Sequence, residues 1–255
     1  MSSSNAPRSP EPETGTGTTW FVSDLHLAAE RPLATGRFFR LLDSTARGAE
    51  ALYILGDLFE YWIGDDDLES EIARDTARHL YALAESGTRI FFMHGNRDFL
   101  LAERYARRAG MSLLADPTWI ELHGVPTLLM HGDTLCSDDL AYQRFRRVTR
   151  KPWVKALLVA LPRALKRRLA GSARAGSEPA KRAKPAAIMD AHPDTIAAAL
   201  REHGATRLIH GHTHRPARHA IELDGVPRER WVLPDWYGAG GALRCDAGGC
   251  RFEPV

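Results

Sequence analysis

The chain has 255 residues, 44% of them hydrophobic and 26% charged, with a formal net charge of +2. That length gives room for one large α/β domain, alone or carrying an insertion, with a well-buried core. Nothing in it is long and uncharged enough to span a bilayer. The three cysteines, Cys136, Cys245 and Cys250, match no zinc ligand set and argue for a reducing cytosol rather than a disulfide scaffold.

The first eighteen residues, "MSSSNAPRSPEPETGTGT", have no apolar core, so they do not read as a signal peptide and predict a disordered tail ahead of a domain over 19–255. The first β-rich run, Trp20 to Val22, is followed at once by "SDLH". A helix-like stretch, Pro32 to Arg47, leads to Leu52–Leu55 and "GDLF". A second, Leu68 to Glu85 with a Gly87 stop signal, leads to Ile90–Met93 and "HGNRD". Thr127–Met130 ends in "HGD" and Leu208–Ile209 in "HGHTH". Near the end, Cys245 and Cys250 are placed to face each other across a hairpin, with plain packing as the expectation.

Strands alternating with helices predict a largely parallel sheet, whose ligands gather beyond the carboxyl ends of the strands. Asp24, His26, Asp57, Asn96, His131, His212 and His214 all fall at such ends. Gly56, Gly95, Gly132 and Gly211 beside them let the backbone turn and approach closely. Any one of these pieces is an ordinary polar loop. Five in register, offering only oxygen and imidazole ligands, point to a dinuclear metal site.

D-x-H, GD, GN, H and GHxH in this order, from about Phe21 to His214, resemble the calcineurin-like metallophosphoesterases. The resemblance implies a four-layer α-β-β-α sandwich with two metal ions at the strand ends. Carried over by motif, Asp24, His26, Asp57 and His214 would hold one ion and Asp57, Asn96, His131 and His212 the other, with Asp57 bridging. Paired divalent ions roughly 3.5–4 Å apart clamp a phosphate ester and activate a water for attack on phosphorus.

Family members commonly read "GNH" where this chain has Asn96-Arg97. An arginine, with a pKa above about 12, cannot protonate a leaving alkoxide, but it can hold a second phosphate through two parallel hydrogen bonds. A phosphate leaving group, with its second pKa near about 6, departs as an anion without that help. Arg97 therefore points to a pyrophosphate bond; the alternative is a surface ion pair with Asp98.

About eighty residues separate His131 from His212, more than one helix and strand need, which predicts a helical insertion over about 137–186. Between Arg144 and Lys184 lie fourteen of the chain's 34 Lys and Arg but one acid, Glu178. Within it, "WVKALLVALPRALKRRL" sets Val154, Leu157, Leu158, Leu161, Leu165 and Leu169 along one helical stripe, with Lys155, Arg163, Lys166 and Arg167 elsewhere and Pro162 as a kink or break. A helix packed on the core is one reading; a basic amphipathic lid that meets anionic lipid or shelters acyl chains is the other, and the charge favours it.

The longer motifs "FVSDLHL", "YILGDLFEYWIGDD", "HGNRDFLL", "LMHGDTLCSDDLAYQRFR", "AIMDAHP", "IHGHTHRP" and "RWVLPDWY" resemble the family of bacterial UDP-2,3-diacylglucosamine hydrolases over nearly everything between Trp20 and Tyr237. That resemblance implies cleavage of UDP-2,3-diacylglucosamine to UMP and 2,3-diacylglucosamine 1-phosphate in lipid A synthesis. It also implies manganese as the usual metal and work on the anionic surface at the cytoplasmic face of the inner membrane; it implies no protein partner, and nucleic acid is not expected. It assigns catalysis to Asp57, Asn96, Arg97 and His131. Substrate contacts would come from Asn96, Arg97, Asp139, Tyr142 and His212, and from Ser177, Lys181 and Lys184 of the lid. Ala180 stands where the family often has asparagine, which bears on the lid contacts alone. Two rivals remain: another phosphoesterase of the same superfamily, acting on a nucleotide-sugar, ADP-ribose or nucleic acid, and a non-catalytic scaffold. After Trp153 the basic block has no aromatic side chain on which single-stranded bases would stack.

Overall fold

The computed structural model describes residues 17–166, 168, 169, 171 and 190–255. Apart from Gly17 and Thr18, the expected tail lies outside these residues, as do Ser177, Ala180, Lys181 and Lys184.

Eleven strands form two sheets among the described residues. β1 (Thr19–Val22), β2 (Ala51–Leu55), β3 (Arg89–Met93) and β4 (Met111–Leu114) run parallel, and β10 (Ala242–Asp246) and β11 (Gly249–Glu253) complete the first sheet in the order β11-β10-β1-β2-β3-β4. The second sheet has the order β5-β6-β7-β9-β8, from β5 (Thr118–Leu122), β6 (Val125–Met130), β7 (Arg207–His210), β8 (Ala217–Leu223) and β9 (Val226–Val232). β6, β7 and β9 are parallel, and β5 and β8 are antiparallel edges. The parallel sheet predicted from sequence is thus two mixed sheets. The antiparallel members are hairpin partners, and hairpins need no crossover helix to announce them.

Alternation within β2 shows how the layers form. Ala51, Tyr53 and Leu55 point between the sheets, where they join Phe21, Met93, Ile120, Leu129 and Ile209. Leu52 and Ile54 point the other way, beneath α1 (Pro32–Arg40) and α2 (Glu71–Glu85), whose Phe38, Leu80 and Leu83 cover them, with Tyr105 from α3 (Glu103–Arg108). A strand buried on both faces reads as a continuous apolar run. On the far face of the second sheet, Leu128 and Leu208 pack against Ile196 and Leu200 of α6 (Pro193–Glu202). Helix, sheet, sheet, helix is the resulting order of layers.

The predicted helix over 32–47 is α1 continued by a wider π-turn, Leu41–Thr45, and the predicted start at Leu68 is displaced to Glu71 by a short 3₁₀ turn, Asp65–Asp67. Within the insertion, α4 (Leu140–Thr149) is followed by α5 (Pro152–Ala160), which ends where Leu161 turns extended ahead of Pro162. That is the conformation a residue before proline favours, so Pro162 splits the apolar stripe into two helical pieces.

The expectation that Cys245 and Cys250 pack as separate thiols is corrected. They are directly opposed in the β10–β11 register, Cα atoms 4.1 Å apart, and are joined as a disulfide. Directly opposed positions of an antiparallel pair bring Cβ atoms within bonding reach.

Candidate active site

The loops that follow β1, β2, β3, β6 and β7 meet at one edge of the molecule and are laced by main-chain bonds. The Asp24 amide donates to the Gly56 carbonyl at 3.1 Å, His26 to Asp57 at 2.9 Å and Gly211 to His131 at 2.9 Å. Asp24, His26, Asp57, His212 and His214 all have left-handed backbone, with φ between 50° and 67°. Such conformations are costly for residues with a Cβ and gather where a site needs them. Two glycines make the crowding possible: a Cβ on Gly95 would lie 2.1 Å from Asp57 Oδ1, and one on Gly211 would lie 2.3 Å from Asp24 Oδ2.

Six of the seven residues expected to bind metal are joined by side-chain contacts. His214 Nε2 lies 3.3 Å from Asp24 Oδ1, and His26 Nε2 is 3.9 Å from Asp24 Oδ1 and from Asp57 Oδ2. Asp57 Oδ1 is 3.9 Å from His131 Nε2, which lies 3.2 Å from Asn96 Oδ1. Asp57 thus turns one oxygen to His26 and the other to His131. His212 enters through its backbone, whose amide donates to Asp24 Oδ2 at 2.8 Å, and its ring centroid is 5.0 Å from that of His131.

Potential ligand atoms fall into two compact groups, Asp24–His26–His214 and Asp24–Asp57–His131. Asp24 Oδ1 is buried, with His214 Nε2 at 3.3 Å and His26 Nε2 at 3.9 Å as its neighbours. Carboxylate, amide and imidazole donors suit first-row divalent cations, so the residues present fit the metal chemistry.

Electrostatics agree. For Asp24, burial opposes ionisation, but the hydrogen bond and charge of His214 outweigh it and hold the carboxyl far below the usual range. Burial, with Asp24 nearby, pushes Asp57 up. Burial also disfavours charge on His131, yet Asp57, Asp133 and Asp24 prevail and raise it to about 9. Burial and His131 push His212 down to about 3. Two carboxylates and four imidazoles in this space leave competing charges that divalent cations balance. His131 Nδ1 faces the Leu55 carbonyl at 2.8 Å, which only accepts, so Nδ1 carries the proton and Nε2 is the atom offered to a metal.

Several contributing residues were passed over in sequence. Glu60, Asp98 and Asp133 all stand inside quoted motifs, yet nothing in their spacing separates them from loop acids. Asp98 accepts from the Leu58 amide at 2.7 Å and the Gly95 amide at 2.8 Å, holding two site loops together, and burial raises it to about 7. An Arg97–Asp98 surface pair is therefore not what forms. The Arg97 amide instead donates to Asp57 Oδ1 at 2.8 Å. Tyr237, from the quoted "RWVLPDWY", packs its ring 5.0 Å from that of His26 and under the Arg31 guanidinium.

Of the expected substrate residues in the insertion, Tyr142 reaches the site: its hydroxyl donates to Asp133 Oδ2 at 2.5 Å and its ring lies 6.0 Å from that of His212. Asp139 caps α4 by accepting from the Tyr142 amide. Lys166 is turned inward rather than to the surface, buried with Nζ 3.0 Å from Asp66 Oδ1. The stripe divides likewise: Leu158 packs on the core, whereas Leu157, Leu165 and Leu169 are exposed, as are Phe145, Val148 and Trp153.

Two packed sheets with carboxylates, an amide and imidazoles at their strand ends define a metal-dependent phosphoesterase. The family described as calcineurin-like phosphoesterase matches residues 17–216. The chain is 51% identical over 234 residues to the UDP-2,3-diacylglucosamine hydrolase of Pseudomonas paraeruginosa, covering 92% of this chain and 97% of that one. It is 47% identical to the enzyme of that name from Aeromonas hydrophila (92% and 98%) and to that from Escherichia coli (90% and 95%). The chain belongs to the UDP-2,3-diacylglucosamine hydrolase family of calcineurin-like phosphoesterases.

Proposed function

We propose that this protein hydrolyses the pyrophosphate bond of UDP-2,3-diacylglucosamine, giving UMP and 2,3-diacylglucosamine 1-phosphate in lipid A synthesis. The observation that carries the reading within the site is Arg97. Its backbone is tied to Asp57, while its guanidinium is largely buried with Nε and Nη2 lacking a hydrogen-bond partner. A buried fork of donors beside a phosphoesterase centre suits a second phosphate next to the one attacked. Family membership supplies the lipid-linked nucleotide.

Asp24, His26, Asp57 and His214 would hold one divalent ion and Asp57, Asn96, His131 and His212 the other, with Mn²⁺ as the ions in use. When bound, such ions polarise the phosphate and activate water for attack on phosphorus. The chain's own residues supply the rest. Asn96 and Arg97 orient the two phosphates, Glu60, with Oε2 3.6 Å from His26 Nδ1, and the Leu55 carbonyl keep His26 and His131 facing the site, and Tyr142 and Asp139 border the sugar phosphate. Asp133 fixes Tyr142 by accepting from its hydroxyl and from Arg146 Nε at 2.7 Å.

The insertion over about 137–186 serves as the lid for the acyl chains, with Ser177, Lys181 and Lys184 as its polar contacts. The same surface docks the protein peripherally on the cytoplasmic face of the inner membrane. Exposed Phe145, Trp153 and Leu157, interspersed along the chain with exposed Arg144, Arg147 and Lys151, support this, because apolar anchors alternating with cations suit an anionic lipid surface. No described helix is long and apolar enough to cross a membrane.

The test is incubation of purified protein and Mn²⁺ with UDP-2,3-diacylglucosamine. Release of UMP is expected; cleavage of a non-lipid nucleotide or of nucleic acid without UMP release favours the rival phosphoesterase reading.

A further inference from the structure

"HGHTH" contains three histidines, and two are accounted for as ligands. The third, His210, is the last residue of β7 and is wholly buried. Its ring is held from both sides. Arg230 Nε donates to His210 Nε2 at 2.9 Å, and His210 Nδ1 lies 2.8 Å from the Gly211 carbonyl. A guanidinium only donates, so Nε2 is the accepting nitrogen, the ring proton sits on Nδ1, and Nδ1 donates to Gly211.

That carbonyl belongs to the same peptide group as the His212 amide, which donates to Asp24 Oδ2 at 2.8 Å. The Gly211–His212 peptide plane is therefore fixed by His210 at its oxygen and by Asp24 at its nitrogen. Rotation of the plane would release the left-handed His212 backbone and an oxygen of Asp24 together. The Thr213 amide shares the Gly211 oxygen at 2.8 Å. A Cβ on Gly132 would lie 2.7 Å from Nδ1 and 2.9 Å from the Gly211 oxygen, so the residue after His131 has to be glycine for the ring and its bond to fit.

The chain of contacts extends outward. Arg230, itself buried, brings Nη2 to 3.6 Å from Asp190 Oδ1, and Asp190 Oδ2 accepts from Arg215, the neighbour of His214, at 2.6 Å. Asp190 thus reaches both ends of the segment that carries His212 and His214.

We propose that His210 and Arg230 are positioning residues: Arg230 selects the Nδ1-protonated form of His210, and that proton holds the Gly211–His212 peptide in the orientation the metal centre needs. The inference rests on the metal-site reading above. Outer-shell partners of this kind change metal affinity by roughly 10–100-fold when removed.

The test titrates metal-free protein with Mn²⁺, following the free ion by electron paramagnetic resonance, for wild type, His210→Phe and His210→Asn. Both variants deprive Arg230 of its acceptor, so a general stability loss is common to them. Only asparagine keeps a donor where Nδ1 stood. Mn²⁺ binding roughly 10–100-fold weaker in His210→Phe and largely recovered in His210→Asn is the expected result. Wild-type affinity in His210→Phe, or equal losses in both, overturns the inference while leaving the metal site standing. A wild type that binds no Mn²⁺ overturns the site reading and this inference with it. In ¹⁵N spectra of the imidazoles, wild-type His210 should carry its proton on Nδ1, and in Arg230→Met, where the Gly211 carbonyl alone sets the tautomer, part of the population should move to Nε2. A wild-type ring protonated on Nε2 also overturns the assignment.

Discussion

The buried carboxylate of Glu60 lies 3.7 Å from Arg97 Nη1, while Nε and Nη2 of the same guanidinium have no hydrogen-bond partner. Glu60 steadies one edge of the fork and leaves the rest of it free to bind.

If those donors grip a second phosphate, Arg97→Ala should cost the pyrophosphate substrate on the order of 2–5 kcal/mol in transition-state stabilisation. An activated aryl phosphodiester, which has no second phosphate, should lose far less. Lysine keeps the charge without the planar fork and should restore activity in part. The ratio of kcat/KM on the two substrates decides it; equal losses on both would assign Arg97 to the metal site or the fold.

Gly95→Ala tests the crowding behind Asp57. Its Cβ would fall 2.1 Å from Asp57 Oδ1 and 2.3 Å from the Asp57 amide nitrogen, so the Asp57 loop has to shift. A displacement near 1 Å at a catalytic group costs on the order of 100-fold. Turnover should fall by that order while a cooperative melting transition persists; an active Gly95→Ala enzyme would show that the two loops tolerate separation.

Neutralising the exposed Arg144, Arg147, Arg163 and Arg168 should weaken binding to anionic vesicles, with wild-type binding itself falling as salt rises. Turnover of detergent-dispersed substrate should suffer less. Lys166 is left out of this set because it is paired with Asp66; Lys166→Ala should instead disturb how the insertion sits on the body. Unchanged vesicle sedimentation in the fourfold variant would mark these arginines as a solvated face.

Burial lowers His94 to about 4, and its Nε2 lies 2.7 Å from the Leu101 carbonyl. Its value in the unfolded chain is about 6.5. The folded state therefore binds fewer protons between these values. The full stability is present above about pH 6.5 and is lost as pH falls toward 4, on the order of 2 kcal/mol by pH 5. Urea denaturation of metal-free protein at pH 7 and pH 5 measures the loss. His94→Gln, which keeps a donor to Leu101 without a titrating ring, should make that dependence shallower, with the other buried imidazoles, His210 and His212, supplying the remainder, and an equally steep one in the variant would place the titration elsewhere.

How much of this was legible beforehand follows from what each part depends on. The gathering of the expected ligand residues was readable because each lies within a few residues of the end of an apolar strand, where a local pattern and a global edge coincide. The helix-and-strand half of the first sheet was readable for the same reason. The edge hairpins were not, although Asp224-Gly225, both with left-handed backbone, is a turn signal between β8 and β9. A two-residue turn without a chemical motif was easy to pass over. The Cys245–Cys250 pairing depends on register, which no count of cysteines contains. Lys166 was misplaced because helical periodicity gives the face of a residue but not which neighbour covers that face. His210 stands in the quoted "HGHTH" without a role of its own, because a strut is defined by its contact with Arg230, which the sequence does not contain.

The left-handed backbone at Asp24, His26, Asp57, His212 and His214 has an evolutionary corollary. Each such residue costs roughly 1–2 kcal/mol relative to a conformation its Cβ prefers, a burden glycine would not carry. A lineage kept only for thermostability, with no demand for turnover, should therefore drift toward glycine at these five positions while its sheets stay intact. Inactive descendants of this enzyme would be recognised by a preserved core around an edge that has lost its carboxylates and imidazoles.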